Sequence, residues 1–291
     1  MPARRFRSVR SDLRMRISVI TPSFNSLQWL KLASASVADQ EVELEHVVQD
    51  GLSVDGTREW LGKGCPSSVA PESAGDAGMY DAINRGFARS RGEILCHLNC
   101  DEQLLPGALA DVLGYFDRHP GIEVLFADAV VVDQAGSYRF HRRISVPWRP
   151  HVETCELSTL TCATFYRRGL IERFGGFDTG YRFAGDLELV RRWVRAGVRM
   201  ASLGRFTSVF TLTGQNLSLN PKAAEEQRRL HSEAPKGYRL LRPLIVQLHR
   251  MGKLVSGGYS PRPFAYEAFT QPSPGKRVRV AVENPSSRWR W

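Results

Sequence analysis

The chain has 291 residues, 42% hydrophobic and 24% charged, with 25 Gly and 16 Pro, enough for one large globular domain or two small ones. That composition excludes collagen-like, disordered and disulfide-scaffold proteins. The formal net charge of +10 invites a nucleic-acid reading, but it sits at the ends: residues 1–16 carry +5 and residues 221–291 carry +9, leaving −4 over residues 17–220.

Residues 1–15 hold arginines without an apolar core, which predicts a disordered basic arm and not a secretory signal. Residues 17–20 read as a buried strand and 27–37 as the helix after it, with Ser26 at the N-cap position. A second strand over 46–49 runs into the turn-rich DGLSVDGT, then a short helix through Trp60 and Leu61. Residues 79–90 have helical apolar spacing and stop at Gly92; 94–98 is a strand, and Pro106 opens a helix over 107–117. The β-branched run 124–132 turns through Gln134-Ala135-Gly136 into a hairpin partner near 137–141. Later come a helix over 169–174, one beginning beside Asp186, and a strand over 206–213.

Alternating strands and helices predict an α/β fold with a mostly parallel sheet covered on both faces. Ligands on such sheets bind beyond the carboxyl ends of the strands, which singles out TPSFN, DGLSVDGT and NCDE. The first of these, residues 21–25, contains no glycine, so GxGxxG and Walker A chemistry are both disfavoured. Pro22 instead fixes a rigid turn in which hydroxyl and amide groups can hold a nucleoside edge, or which is simply a polar turn. Asp50, at a strand's end, can accept from a base N–H, whereas Asp55-Gly56-Thr57 suits a turn and cap. The acidic pair Asp101 and Glu102 follows the strand 94–98. Oxygen donors at a strand's carboxyl end suit Mg²⁺ or Mn²⁺ bridged to phosphate; the alternative is an acidic turn ahead of a helix.

The ordered set TPSFN, EHVVQDGLSVDGT, PESAGDAGMYDAINRGFARSRGEILCHLNCDE, ATFYRRGLIERFGGFD and YRFAGDLELVRRWVRAG resembles the family 2 glycosyltransferases of the GT-A fold over about residues 16–220. The resemblance implies an inverting, metal-dependent enzyme with a nucleotide-sugar donor, commonly UDP-linked. It further implies that Thr21, Pro22, Ser23 and Asp50 contact the nucleoside, Asp76 the base or ribose, and Asp81 with Asn84 the donor sugar or diphosphate. Asn99-x-Asp101 stands in for the DxD motif, with Asn99 on the nucleotide sugar, Asp101 as ligand of Mn²⁺ or Mg²⁺ and Glu102 as a lesser ligand or a support behind it, and Asp186 falls where the family places its catalytic base. Plain N-capping is the competing reading for Asp186, with Glu188 the second choice as base. Two departures stand out: Asp76-Ala77-Gly78 replaces the common Asp-Lys-Gly, and Cys100 with Glu102 replaces the Ser and Asp of NSDD. The loop 214–218 resembles the polar loop that closes over the diphosphate or acceptor. A QxxRW motif is absent, which favours single sugar additions over processive synthesis.

The charge pattern predicts three parts: the arm 1–15, a catalytic domain over 16–220, and a basic helical extension over 221–291, whose end, GKRVRVAVENPSSRWRW, reads as a short strand and a basic aromatic tail. Within the extension, residues 238–254 place leucines and arginines as an interfacial amphipathic helix would, which suits an anionic membrane surface; the alternative packs the stripe on the domain. Five cysteines without a CxxC pair, and no long apolar run, predict a cytoplasmic protein, peripheral on the cytoplasmic face of the membrane. The partners expected are a nucleotide sugar and a glycan or polyprenyl-linked acceptor, without nucleic acid. The rival classes are a nucleotidyltransferase and a non-catalytic binding protein using the basic ends.

Overall fold

The computed structural model describes residues 15–66, 69–217, 220–259 and 262–286. The expected arm apart from Met15, Ser218 of the polar loop and the last five residues lie outside these.

Strand β1 (Ile17–Ser23) is buried along its whole length. Parallel neighbours flank it, β2 (Leu44–Asp50) on one side and β4 (Ile94–His97) on the other, with β3 (Val69–Ser73) beyond β2. A central strand covered on both faces reads as continuous apolar sequence. One face takes α1 (Leu27–Ala38) and α4 (Ala108–Arg118), whose Ala33, Val37, Leu109 and Val112 pack with Ile17, Val19 and Cys96. The other takes α3 (Met79–Arg89) and α7 (Gly185–Arg195), whose Ile83, Phe87, Leu187 and Trp193 pack with Ile20, Val47 and Leu95. The remaining helix of this half, α2 (Thr57–Lys63), precedes β3.

Past β4 the sheet is mixed. β8 (Thr164–Arg167) runs antiparallel to β4; β6 (Val124–Asp133) is antiparallel to β8 and parallel to β9 (Met200–Leu212). β5 (Glu102–Leu104) closes the far edge against β9, and β7 (Tyr138–Arg142) pairs with β6 as the predicted hairpin. The full order is β3-β2-β1-β4-β8-β6-β9-β5. The short strands β3, β5 and β8 were not expected from sequence, being three to five residues long, too short to display a period.

The segment after residue 220 is not uniformly helical, and the reason is a change of period. α8 (Pro221–Ser232), α9 (Lys236–Leu240) and α10 (Arg242–Val255) are helices, but β10 (Phe264–Thr270) and β11 (Ser273–Val282) form an antiparallel hairpin. In KRVRVAV the apolar residues alternate, as a strand requires. The hairpin sits against the sheet, where the amide of Gln103 exchanges two 2.8 Å hydrogen bonds with the backbone of Phe269. The expected single helix over 238–254 is two: Leu241 breaks it, and Pro243 takes the first turn of α10, where its missing N–H costs nothing.

α8 is built into the core through Leu230. A buried ionic network joins α7 to α5 (Arg149–Thr154) and to the residue after α8: Glu153 pairs with Arg191 at 2.9 Å and Arg195 at 2.7 Å, and Arg191 also meets Glu233 at 3.1 Å. All five cysteines are free, and among the described residues no helix is long and apolar enough to cross a membrane.

Candidate active site

The parallel registers bring the predicted segments together at one edge. Ser23 lies opposite Asp50, and Asp50 opposite Ser73; β4 ends alongside Ile20, and Cys100 Sγ donates to the Pro22 carbonyl at 3.1 Å. The carboxyl ends of β1, β2, β3 and β4 thus gather residues 21–25, 50–57, 73–81 and 99–102.

Several of these side chains serve the protein itself. Thr21 is buried with its hydroxyl 2.8 Å from His46 Nε2. The fully buried carboxylate of Asp50 accepts from Ser53 N, Ser53 Oγ and Ser73 Oγ, which ties the second loop to β3. Ser26 does not cap α1; its hydroxyl bonds the Phe24 carbonyl, while Asp55 Oδ2 accepts from Leu27 N at 2.9 Å and its Oδ1 takes both Thr57 donors. Asp55 therefore caps one helix across space and starts another. Asp76 Oδ1 accepts from Gly78 N, and its Oδ2 stands against Gly51.

Asp81 accepts from Ala77 N and pairs with Arg85 at 2.9 Å; the Ala77 N–H, joined by Arg85, holds its carboxyl below the usual range against the opposing effect of burial. Arg85 also donates to the Gly75 carbonyl at 2.7 Å, so a cation does stand at the loop where the sequence lacks the common lysine. The amide of Asn84 bonds both the N–H and the carbonyl of Phe177, each at 2.8 Å. Gly176 must be glycine, because a Cβ there would run into Asn84 Oδ1.

Asp101 and Glu102 differ sharply in access. Glu102 is fully buried; its Oε2 accepts from Asn99 N at 2.7 Å and its Oε1 has no partner among the described residues. Asp101 is partly exposed, and its Oδ2 accepts from Asn216 Nδ2, in the loop after β9, at 3.1 Å. Burial pushes both carboxyls up, and the Asp101 charge adds to the rise at Glu102. The site therefore gains from an added positive charge, and a donor set made only of oxygens suits Mg²⁺ or Mn²⁺. Asp101 has the access a ligand needs, while Glu102 supports it from below. Among the described residues no cluster of three His, Cys, Asp or Glu forms a closed metal cage. The same edge leaves Ser23 Oγ, Asn99 Oδ1 and both nitrogens of His97 without hydrogen-bond partners among the described residues, and burial keeps His97 neutral, its pKa pushed down to about 4.

Asp186 lies in the first turn of α7, and other residues cap that helix. Glu226 of α8 accepts from Arg182 N, Phe183 N and Ala184 N at 2.8–2.9 Å. The Tyr80 hydroxyl accepts from Gly185 N at 3.1 Å and Asp186 N at 3.3 Å. Gly185 permits this approach, since a Cβ would lie 2.6 Å from the Tyr80 ring. The Asp186 carboxylate accepts from Leu187 N through Oδ1. Burial, aided by the Glu226 charge and opposed by the Leu187 N–H, pushes its pKa up to about 6. Glu188 instead pairs with Arg192 at 2.5 Å. Tyr80 stacks on Phe177 at 4.8 Å, and Phe177 meets His97 edge-on at 5.2 Å, so Asp186 is linked to the strand edge through α3. Sequence reasoning missed Tyr80 and Glu226; the only local signal for the latter is a charged helix whose partner is forty residues away.

Residues 18–175 match the family described as Glycosyl transferase family 2. A glycosyltransferase of Mycobacterium tuberculosis, described as uncharacterized, is 30% identical over 183 residues, covering 60% of this chain and 68% of the relative. A PGL/p-HBAD biosynthesis glycosyltransferase of Mycobacterium bovis is 26% identical over 251 residues, covering 82% and 92%. Among solved structures, S. aureus TarS in complex with UDP-GlcNAc matches with a TM-score of 0.59 at 20% identity, over 74% of this chain and 64% of that one. The mannosyltransferase PcManGT from Pyrobaculum calidifontis, in complex with GDP-Man and Mn²⁺, matches with a TM-score of 0.54 at 18% identity, over 79% and 68%. At those identities the likeness is one of fold, the GT-A architecture.

Proposed function

The chain belongs to glycosyl transferase family 2, and from that premise we propose that this glycosyltransferase moves a sugar from a UDP-linked donor to a hydroxyl of a glycan or polyprenyl-linked acceptor, by single displacement with inversion. The observation that carries the reading is the contrast between two carboxylate stations. Burial raises the pKa of both carboxyls to about 6. Asp101 stands at the strand edge beside Glu102 and Asn216, paired with no cation among the described residues, whereas Asp186 stands in the first turn of α7, where Glu226 and Tyr80 take the backbone donors of the helix end. Donors in the neighbours' complexes, UDP-GlcNAc and GDP-Man, fit a nucleotide sugar.

In this reading the nucleoside lies over residues 22–25, 50–53 and 76, where Ser23 Oγ has a hydrogen bond to give. Asp101 would hold the divalent ion, with Asn216 orienting its carboxylate and Glu102 and Asn99 fixing the turn beneath. When bound, such an ion offsets the charge that develops on the departing diphosphate. The acceptor oxygen forms the new bond to the anomeric carbon as the bond to the diphosphate breaks, and the electron pair leaves with the nucleotide. The acceptor's proton passes to Asp186, whose Oδ1 takes the Leu187 N–H and whose Oδ2 has no hydrogen bond among the described residues. A carboxylate with a pKa near 6 is ionised at neutral pH yet more basic than an exposed aspartate, as a general base should be. Glu226 and Tyr80 occupy the backbone donors of the helix end, which would otherwise stabilise the aspartate anion and weaken it as a base.

A panel of nucleotide sugars scored by donor hydrolysis in Mn²⁺ or Mg²⁺ tests the proposal without an acceptor. The expected result is metal-dependent hydrolysis of UDP-sugars, abolished by Asp101→Ala; metal-independent hydrolysis, or none with any donor, would contradict it.

A further inference from the structure

α10 is turned the wrong way round for a helix that simply packs on a water-soluble domain. Its inner row is Ile245, His249 and Lys253, at a spacing of four, with the His249 ring stacked 3.9 Å from His151. Its outer row is Leu244, Leu248, Met251 and Val255, offset by four, seven and eleven residues, one stripe of a helix. Met251 is 61% exposed and Val255 87%, and the stripe continues into α9 at Leu240, 81% exposed. Folding in water would place leucines inward and the lysine outward, so the outer stripe suits a partner that is itself apolar.

The charges around it select the partner. Residues 236–255 hold no Asp or Glu, and apart from the inward Lys253 their cations are Lys236, Arg239, Arg242 and Arg250. A second copy of the chain laid on this face would oppose the same cations, which disfavours a symmetric dimer there. An apolar stripe in a wholly cationic segment matches a bilayer surface bearing anionic headgroups, where the side chains enter the acyl boundary and the cations stay among the phosphates. From this geometry we infer that α9 and α10 form a docking surface for an anionic membrane. The inference goes beyond the reaction proposed above and does not rest on it.

Co-sedimentation of the full chain with vesicles tests it, comparing phosphatidylcholine alone with phosphatidylcholine containing phosphatidylglycerol. Retention is expected on the anionic vesicles, falling with added salt. The variant L244S/L248S/M251S should lose at least about tenfold in retention, while its donor hydrolysis and thermal transition stay those of the unaltered chain, since all three side chains are exposed. No retention on anionic vesicles, or equal retention of the triple variant, would overturn the inference. So would a dimer of the unaltered chain in solution that the triple variant turns into monomer, which would assign the face to a second copy.

Discussion

Glu226 closes the amino end of the helix whose first turn carries Asp186. Its carboxylate takes the three backbone N–H groups of Arg182, Phe183 and Ala184, and its charge adds to the rise in the Asp186 pKa. A residue outside the span matched by the family thus helps to position the candidate base and adds to the basicity that burial gives it.

Replacing Glu226 with Gln separates those two effects. The loss of cap bonds should cost about 1–2 kcal/mol of stability. Loss of the negative charge should also move the acidic limb of the kcat/KM profile below its position near pH 6. A purely structural residue would lower the melting temperature and leave the limb where it is.

Asp186 makes the folded state sensitive to alkali. Its pKa rises from 3.8 to about 6 on folding, so the native form prefers the proton. The stabilisation is complete below pH 4 and is lost as pH rises through 6, amounting to roughly 3 kcal/mol at most. Asp186→Asn should therefore melt higher than the unaltered chain at pH 8 and about level with it at pH 4, as calorimetry at the two pH values would show.

Asn84 is spent on Phe177. Asn84→Ala should destabilise by about 1–3 kcal/mol, because both backbone groups of Phe177 lose their partner. It should lower kcat through the Phe177–Tyr80 stack, with donor KM unchanged. A raised donor KM at unchanged stability would restore the direct donor contact implied by family resemblance.

Glu153 is 1% exposed between Arg191 and Arg195. Glu153→Ala leaves the buried Arg191 without its main counter-charge and should cost about 3–5 kcal/mol, read by urea unfolding. A loss under 1 kcal/mol would mean that Glu233 alone suffices for Arg191.

Much of the sheet could be read from sequence because parallel strands buried on both faces, such as β1, are continuous apolar runs, and the site edge followed from where those runs end. What could not be read depends on distant partners. Ser26 looks like a cap, yet Asp55 does the capping from twenty-eight residues away. Asn84 and Thr21 sit in motifs that resemble donor contacts, but their partners are Phe177 and His46. The leucines of α10 show amphipathicity, and only the packing of His249 and Lys253 fixes which face turns outward. Gln103, which anchors the last hairpin, carries no local signal at all.

The division of labour between Asp101 and Asp186 is tested most directly by sugar transfer in Asp186→Asn protein whose UDP affinity in Mn²⁺ has been measured on the same preparation. The account predicts affinity within about twofold of the unaltered chain and a transfer rate lower by about 10²–10⁴. Transfer at the unaltered rate would show that another group takes the proton, and the assignment of Asp186 would fall.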